Sequence, residues 1–258
     1  LPAGRPSGRR GRQVRHQPWG RGATEADRMR TVLLRAVSHD LRSPLAAATA
    51  AVSGLRAQDI ELAAADRDEL LDTAQQSLEL LSRLAASLLD LTRLQAGAPS
   101  VFSHPSGLEE IITHALAGLG PQGRTVRVDL PPGLPAVMAD PPLMERVIAN
   151  LLDNALRYSP DGAPPLLTAR ARGGRVELRV ADRGPGVAPA DRDTMFAPFQ
   201  RLGDPDPATG IGLGLAVSRG LTEAMHGTLE PEETPGGGLT MTISVPAVPR
   251  GGRVRASC

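Results

Sequence analysis

Lysine is absent from the 258 residues, so all 29 basic side chains are arginine. That uniformity fits a GC-rich coding bias and decides nothing about function. Cysteine occurs once, as the final residue Cys258, which excludes an internal disulfide framework and cysteine-ligated zinc and fits a reducing compartment. No window approaches the ~18 uninterrupted apolar residues that a membrane span requires, and the arginine-rich start lacks the apolar core of a secretory signal. The sequence therefore reads as a soluble chain, and its first residue, Leu1 in place of methionine, reads as the start of a fragment. Acidic residues are missing from positions 1–22, which hold six arginines; with a net charge of +1 for the whole, the other 236 residues stand at −5. This Arg/Gly/Pro-rich stretch reads as a disordered leader over residues 1–23 and is assigned no nucleic-acid role.

What is present suffices for two modest domains, since 41% of the residues are hydrophobic and each domain can bury a core of its own. From about Thr24 to Leu55 the apolar residues recur at helical spacing, gathering Leu41, Leu45, Ala48, Val52 and Leu55 on one face. His39 falls on the opposite face with Arg42 and Ser43, inside the stretch "AVSHDLRSPL", and so faces water. After a turn region, "RAQDIELAAADRDE", residues Leu70, Ala74, Ser77, Leu81, Leu84, Leu88 and Leu91 follow a 4-3 alternation, the mark of a heptad seam. Two such helices make a hairpin whose leucine stripe is too broad for one partner. Pairing two hairpins in a four-helix bundle covers it, which predicts a homodimer.

"QAGAPS" at 95–100 breaks this pattern and sets a domain boundary near residue 97. The all-α hairpin thus occupies 24–97. Beyond it, "RTVRVDL", "PLLTARARGG", "RVELRVAD" and "LTMTISVP" read as strands, the middle pair a hairpin about Gly173 and Gly174. "PPLMERVIANLLDNALRYS" and "GLGLAVSRGLTEAMHG" read as helices. Residues 98–246 are therefore expected to form an α+β sandwich, helices over a mixed sheet, with 247–258 a loose tail.

Three motifs in this second part carry chemistry. Asn150 and Asn154 stand four residues apart, on one helical face; two such amides can bridge to backbone, or can offer their oxygens to a hard cation such as Mg²⁺ alongside phosphate oxygens. "ADRGPGV" ends a strand with Asp182 followed by Gly184 and Gly186. The glycines suit a turn that passes close to a planar ligand, and the aspartate can accept a hydrogen bond from an exocyclic amine. "TGIGLGLAV" runs Gly210, Gly212 and Gly214 into a helix, whose free N–H groups favour phosphate. A dinucleotide fold is rejected, because this glycine run follows a loop rather than a strand and its spacing differs from G-x-G-x-x-G.

In their order these segments resemble a sensor histidine kinase: "SHDLRSPL" is similar to the H-box, "NLLDNALRYS" to the N-box, "DRGPGV" to the G1-box, "MFAPFQRL" to the F-box and "GIGLGL" to the G2-box. The resemblance covers about residues 25–246, and the stretch from "RLGDPDPATG" to "PGGGLTM" is most similar to the Kdp-type potassium sensor kinases of actinobacteria. It implies a dimerisation and phosphotransfer hairpin followed by an ATP-binding domain of the type shared with gyrase and Hsp90. It further implies that His39 is the phosphoacceptor and that Asp40 fixes its tautomer, leaving the other ring nitrogen as nucleophile. Asn154 and Asn150 would hold Mg²⁺, Asp182 would read the adenine amine, and Gly184 and Gly186 would line the base pocket. Arg157 would contact phosphate and Tyr158 would pack near the nucleotide; Phe196, Phe199 and Arg201 would belong to a lid ahead of Gly210, Gly212 and Gly214.

The cofactors implied are ATP and Mg²⁺. The partners are a second copy of the chain and a response regulator whose aspartate receives the phosphoryl group, with no nucleic acid bound directly. The stimulus implied is potassium or osmotic stress. This region would be cytoplasmic, in relatives that are plasma-membrane proteins with a sensor upstream. Ser43, one turn after His39, occupies the place of a small hydroxyl or amide that orients water against the phosphorylated regulator, which implies a phosphatase activity as well; Pro44 loosens the helix just past the histidine. The hydrolysing relatives resemble E-x-x-x-N, whereas position 150 is asparagine, so transfer is favoured over hydrolysis. The competing expectation is a silent nucleotide-binding dimerisation fragment. Of the other histidines, His16 falls in the leader, His104 in a linker strand and His114 on the surface of an amphipathic helix, while His226 stands where glycine is usual at a helix end.

Overall fold

The computed structural model describes residues 41–57, 62–95, 101–200 and 212–249. Residues 41–56 are helical (α1), and α2 spans Ala64–Gln95. The start of α2 corrects the sequence reading, since the "ADRDE" that reads as a turn is its first turns. Every residue from Ala64 to Glu69 is exposed, so their polarity marks a solvated helix face rather than a loop, and Asp66 suits the positive end of the helix dipole. The two helices form a hairpin, in which a Cβ on Gly54 would lie 3.3 Å from Leu70 Cδ1. Along the seam Ala74, Ser77, Leu84 and Leu91 are buried. Leu45 (56% exposed), Val52, Leu71, Leu78 and Leu89 (57%) remain open to solvent within this one chain.

The rest of the described chain is ordered β1 (His104–Ser106), α3 (Leu108–Gly118), β2 (Arg127–Asp129), β3 (Val137–Ala139), α4 (Pro141–Tyr158), β4 (Leu166–Arg172), β5 (Arg175–Ala181), α5 (Gly214–Ala224), β6 (Thr228–Glu233) and β7 (Leu239–Pro246). The main sheet has the order β2-β4-β5-β7-β6. Only β2 and β4 are parallel, so the sheet is mixed, as the sequence predicts. Cross-strand rows explain where the core sits. Leu167 pairs with Val180 and Val180 with Met241, while Leu178 pairs with Ile243 and Ile243 with Leu229. All are buried, and the alternate residues of β5 are only half-buried. One sheet face therefore carries the core, against Ile111 and Ile112 of α3, Ile148 and Leu152 of α4, and Val217 and Leu221 of α5.

Local chemistry fixes the ends of these elements. Asp140 caps α4, its side chain accepting from Leu143 N at 3.4 Å and from Phe102 N at 2.9 Å, and the prolines that follow sit in the first turn, where a missing N–H costs nothing. The β4–β5 turn has φ of +58° at Gly173 and +75° at Gly174, the backbone that a tight two-residue hairpin demands. Strand β6, "TLEPEE", is not evident in the sequence because proline and acids disfavour strands; as an edge strand it tolerates both.

At the end of α5, His226 adopts φ +58°, so a side chain occupies backbone space that suits glycine. Its N–H donates to Glu223 O at 2.9 Å, and the next N–H, of Gly227, donates to Thr222 O at 2.8 Å. His226→Gly keeps these backbone bonds and relieves the strain; a gain of about 0.5–1 kcal/mol is expected as a higher urea midpoint at unchanged slope.

Candidate functional site

The C-terminal half of α4, the ends of β5 and β7 and the start of α5 enclose a cavity of about 640 Å³, in the size range of a nucleotide-sized ligand. Leu151, Val180, Met195, Leu213 and Met241 supply apolar wall, and the polar groups converge from three sides.

From α4, Asn150 and Asn154 both line the cavity, as does Asp153. Asn150 donates from Nδ2 to Ser218 Oγ on α5 at 3.4 Å, which ties the two helices together and leaves its carbonyl oxygen available. Ser218 is fully buried. Arg157 pairs with Asp153 at 3.3 Å, and Tyr158, 39% exposed, lies at the rim.

From the sheet, Asp182 is buried just past β5. Its Oδ1 accepts from Gly184 N and from Leu239 N, both at 2.9 Å, and its own N–H donates to Leu239 O. One carboxylate oxygen is therefore committed to the scaffold; among the described residues no protein donor meets Oδ2. The glycines are packed in by backbone. A Cβ on Gly184 would lie 2.6 Å from Tyr158 O, and one on Gly186 (φ +71°) 3.1 Å from Gly238 O. Gly238 at φ +110° and Leu239 complete this corner, a role that sequence reasoning missed although "PGGGLT" marks the glycines ahead of a strand.

From the glycine-rich segment, Gly212 (φ +71°) is pressed against Gln200 O, 2.6 Å from where its Cβ would stand, and its carbonyl accepts from Phe199 N at 3.0 Å. Gly214 opens α5 on the cavity, presenting free first-turn N–H groups to a ligand. Phe196 is placed elsewhere than its expected lid. It is buried in the core, with the Arg219 guanidinium 4.5 Å above its ring, and is absent from the cavity wall.

The fourth side was not foreseen. Leu80, Arg83, Leu84 and Ser87 of α2 also line the cavity, and Leu84 and Leu91 share one buried cluster with the core of the sheet domain. The heptad reading allots Leu84 and Leu91 to the hairpin seam alone and gives Leu80, Arg83 and Ser87 no role. Ser43 lies on the exposed side of α1. His39, Asp40, Arg201 and Gly210 fall outside the described residues.

The donor set fits a nucleotide with Mg²⁺ better than a metal alone. Among the described residues no group of three or more His, Cys, Asp or Glu could hold an ion. The two amides offer neutral oxygens, so a divalent cation here would take the rest of its ligands and charge from phosphates.

Comparison with known protein families agrees with this geometry. Residues 29–97 match the His Kinase A (phospho-acceptor) domain, and residues 139–249 match the histidine kinase-, DNA gyrase B- and HSP90-like ATPase domain. The sensor protein KdpD of Mycobacterium tuberculosis is 48% identical over 86% of this chain and 26% of its own length. The KdpD of Escherichia coli is 33% identical over 88% of this chain and 25% of its own. The chain thus spans about a quarter of the length of these relatives. Among solved structures, full-length ShkA in complex with AMPPNP is 26% identical with a TM-score of 0.59, covering 88% of this chain and 45% of that one. The Acinetobacter baumannii histidine kinase AdeS shares the fold, with a TM-score of 0.62 over 81% of this chain and 98% of its own. No described helix is long and apolar enough to cross a membrane. With a phosphoacceptor hairpin and a Bergerat-type ATP-binding domain in one chain, the protein belongs to the sensor histidine kinase family.

Proposed function

We propose that the chain binds ATP in the α4–α5 cavity, transfers the γ-phosphoryl group to His39 and passes it to an aspartate of a response regulator. The observation that carries this reading is the convergence on one cavity of Asp182, with one oxygen fixed and one unengaged, the α4 amides and the open N-terminus of α5. In it Asp182 accepts from the adenine amine, the packed glycines let backbone approach the base, and the first turn of α5 faces the phosphates. Asn150 and Asn154 hold Mg²⁺ against the phosphates; when bound, that ion neutralises their charge. Position 150 carries an amide and Asp153 is engaged by Arg157, so no carboxylate there is set to activate water, which favours transfer over hydrolysis. Residues 24–97 form the phosphotransfer unit and 98–246 the catalytic unit. The leucines left open on α1 and α2 support pairing with a second copy.

Likeness to the KdpD proteins supports potassium or osmotic stress as the stimulus, with an upstream sensor embedded in the membrane and this region on its cytoplasmic side. Label from γ-labelled ATP is expected first on this chain and then on the receiver aspartate of the regulator; ATP binding without label would leave only a silent nucleotide-binding fragment.

Ser43, exposed one turn beyond His39, is assigned to orient water in regulator dephosphorylation. Ser43→Ala is expected to slow that reaction about tenfold with autophosphorylation unchanged, read as loss of label from purified phosphoregulator. An unchanged rate removes the assignment.

A further inference from the structure

The nucleotide cavity belongs to both parts of the chain, because one wall of it is α2. Beside the shared burial of Leu84 and Leu91, that wall is fastened to the ATP-binding part by an ion pair and by a close packing contact. Asp90, a carboxylate whose side chain is 7% exposed, lies 2.6 Å from Arg146 Nη1 of α4; the contact is a charge pair rather than an aligned hydrogen bond. Leu94 seats on Gly220 of α5, where an added Cβ would lie 2.7 Å from Leu94 Cδ1.

From the Asp90–Arg146 pair the cavity-lining residues lie N-terminal on α2 (Ser87, then Arg83) and C-terminal on α4 (Asn150, then Asn154). The helices thus cross the cavity in opposite senses. Seven residues separate Arg83 from Asp90 and eight separate Asn154 from Arg146, about 10 and 12 Å of helix rise. By that rise Arg83 comes level with Asn154, across the cavity that both line. Of the two cations that line the cavity among the described residues, Arg157 is engaged by Asp153. Arg83 meets no carboxylate among the described residues, and its backbone carbonyl accepts from Ser87 Oγ at 2.9 Å.

We propose that Arg83 is a nucleotide-binding residue supplied by the hairpin, its guanidinium contacting the terminal phosphates of ATP, and that the Asp90–Arg146 pair is the positioning contact that holds it there. The inference rests on the ATP reading of the cavity and adds a residue that no N-, G1- or G2-type motif contains. A planar fork of donors suits two phosphate oxygens. Because ATP would then touch both parts of the chain, its binding and the docking of α2 must favour one another equally.

Calorimetric titration of the whole chain with ATP, ADP and adenosine tests this. Arg83→Gln is expected to weaken ATP about tenfold and ADP less, to leave adenosine unchanged and to keep the wild-type melting temperature. Arg83→Lys should recover most of the loss. Asp90→Asn should lower ATP affinity by a similar factor, and Arg83→Gln should then add little, because the two act as a unit. Unchanged ATP affinity in Arg83→Gln, or an equal loss for adenosine, overturns the proposal while leaving the ATP site standing. A wild-type chain that binds no ATP overturns both.

Discussion

Asp182→Asn is expected to weaken ATP binding about 100-fold while the melting temperature moves by no more than a few degrees. The substitution preserves shape. An amide carbonyl in the place of Oδ1 still accepts from Gly184 N and Leu239 N, the two 2.9 Å bonds that anchor the side chain, so the corner between β5 and β7 survives. What changes is the other atom. An NH₂ group then stands where Oδ2 was, which in the proposed binding mode sets donor against donor at the adenine amine. A lost hydrogen bond to a charged acceptor is worth roughly 1.5–3 kcal/mol and a buried unsatisfied donor about 1–3 kcal/mol; about 2.7 kcal/mol is a factor of 100. Titration with ATP beside a thermal melt separates the two effects. Wild-type affinity in this variant would move base recognition away from Asp182.

Gly238→Ala is expected to act through the backbone and to cost far more stability. Its φ is +110°, and a Cβ there would lie 2.2 Å from Asp182 O and 2.8 Å from Asp182 C. Both are backbone atoms, so no rotamer change relieves the overlap, and the corner that holds Leu239 N against Asp182 must open. Strain and overpacking of this kind cost about 3–4 kcal/mol, or roughly 10 °C for a domain near 150 residues, and ATP affinity should fall with it. The neighbouring Gly237→Ala isolates the cause. At φ +102° it has the same backbone strain but nothing within 4 Å of its Cβ, so a loss of only about 1–2 kcal/mol is expected. Equal melting temperatures for the two variants would show that contact with Asp182 is not what matters.

How far the sequence alone reaches follows from the range of each signal. The α4 amides, Asp182 with its glycines and the helix opened by Gly214 are local patterns, readable because one short segment carries both the side chains and the backbone that aims them. The hairpin seam, the Gly173–Gly174 turn and β7 were legible for the same reason. Contacts between distant segments were not. Nothing in "LLSRLAASLLD" says that Arg83 and Ser87 face the cavity, because heptad periodicity assigns a face without naming what covers it. Phe196 shows the converse: its motif suggested a lid, but a guanidinium from α5 above the ring and burial below it make it part of the core. Strand β6 hid because an edge strand can carry Pro231 and three glutamates at no cost to its one paired side.

The central claim is that this ATP site serves a histidine and not water. Its most direct measurement is incubation of the chain with γ-labelled ATP and Mg²⁺, wild type beside His39→Gln, with the label tested in acid and in base. The account predicts a label on the wild type that is lost in acid and kept in base, and none on His39→Gln although that variant still binds ATP. Label persisting on His39→Gln, or a wild type that binds ATP and acquires no label, would contradict it.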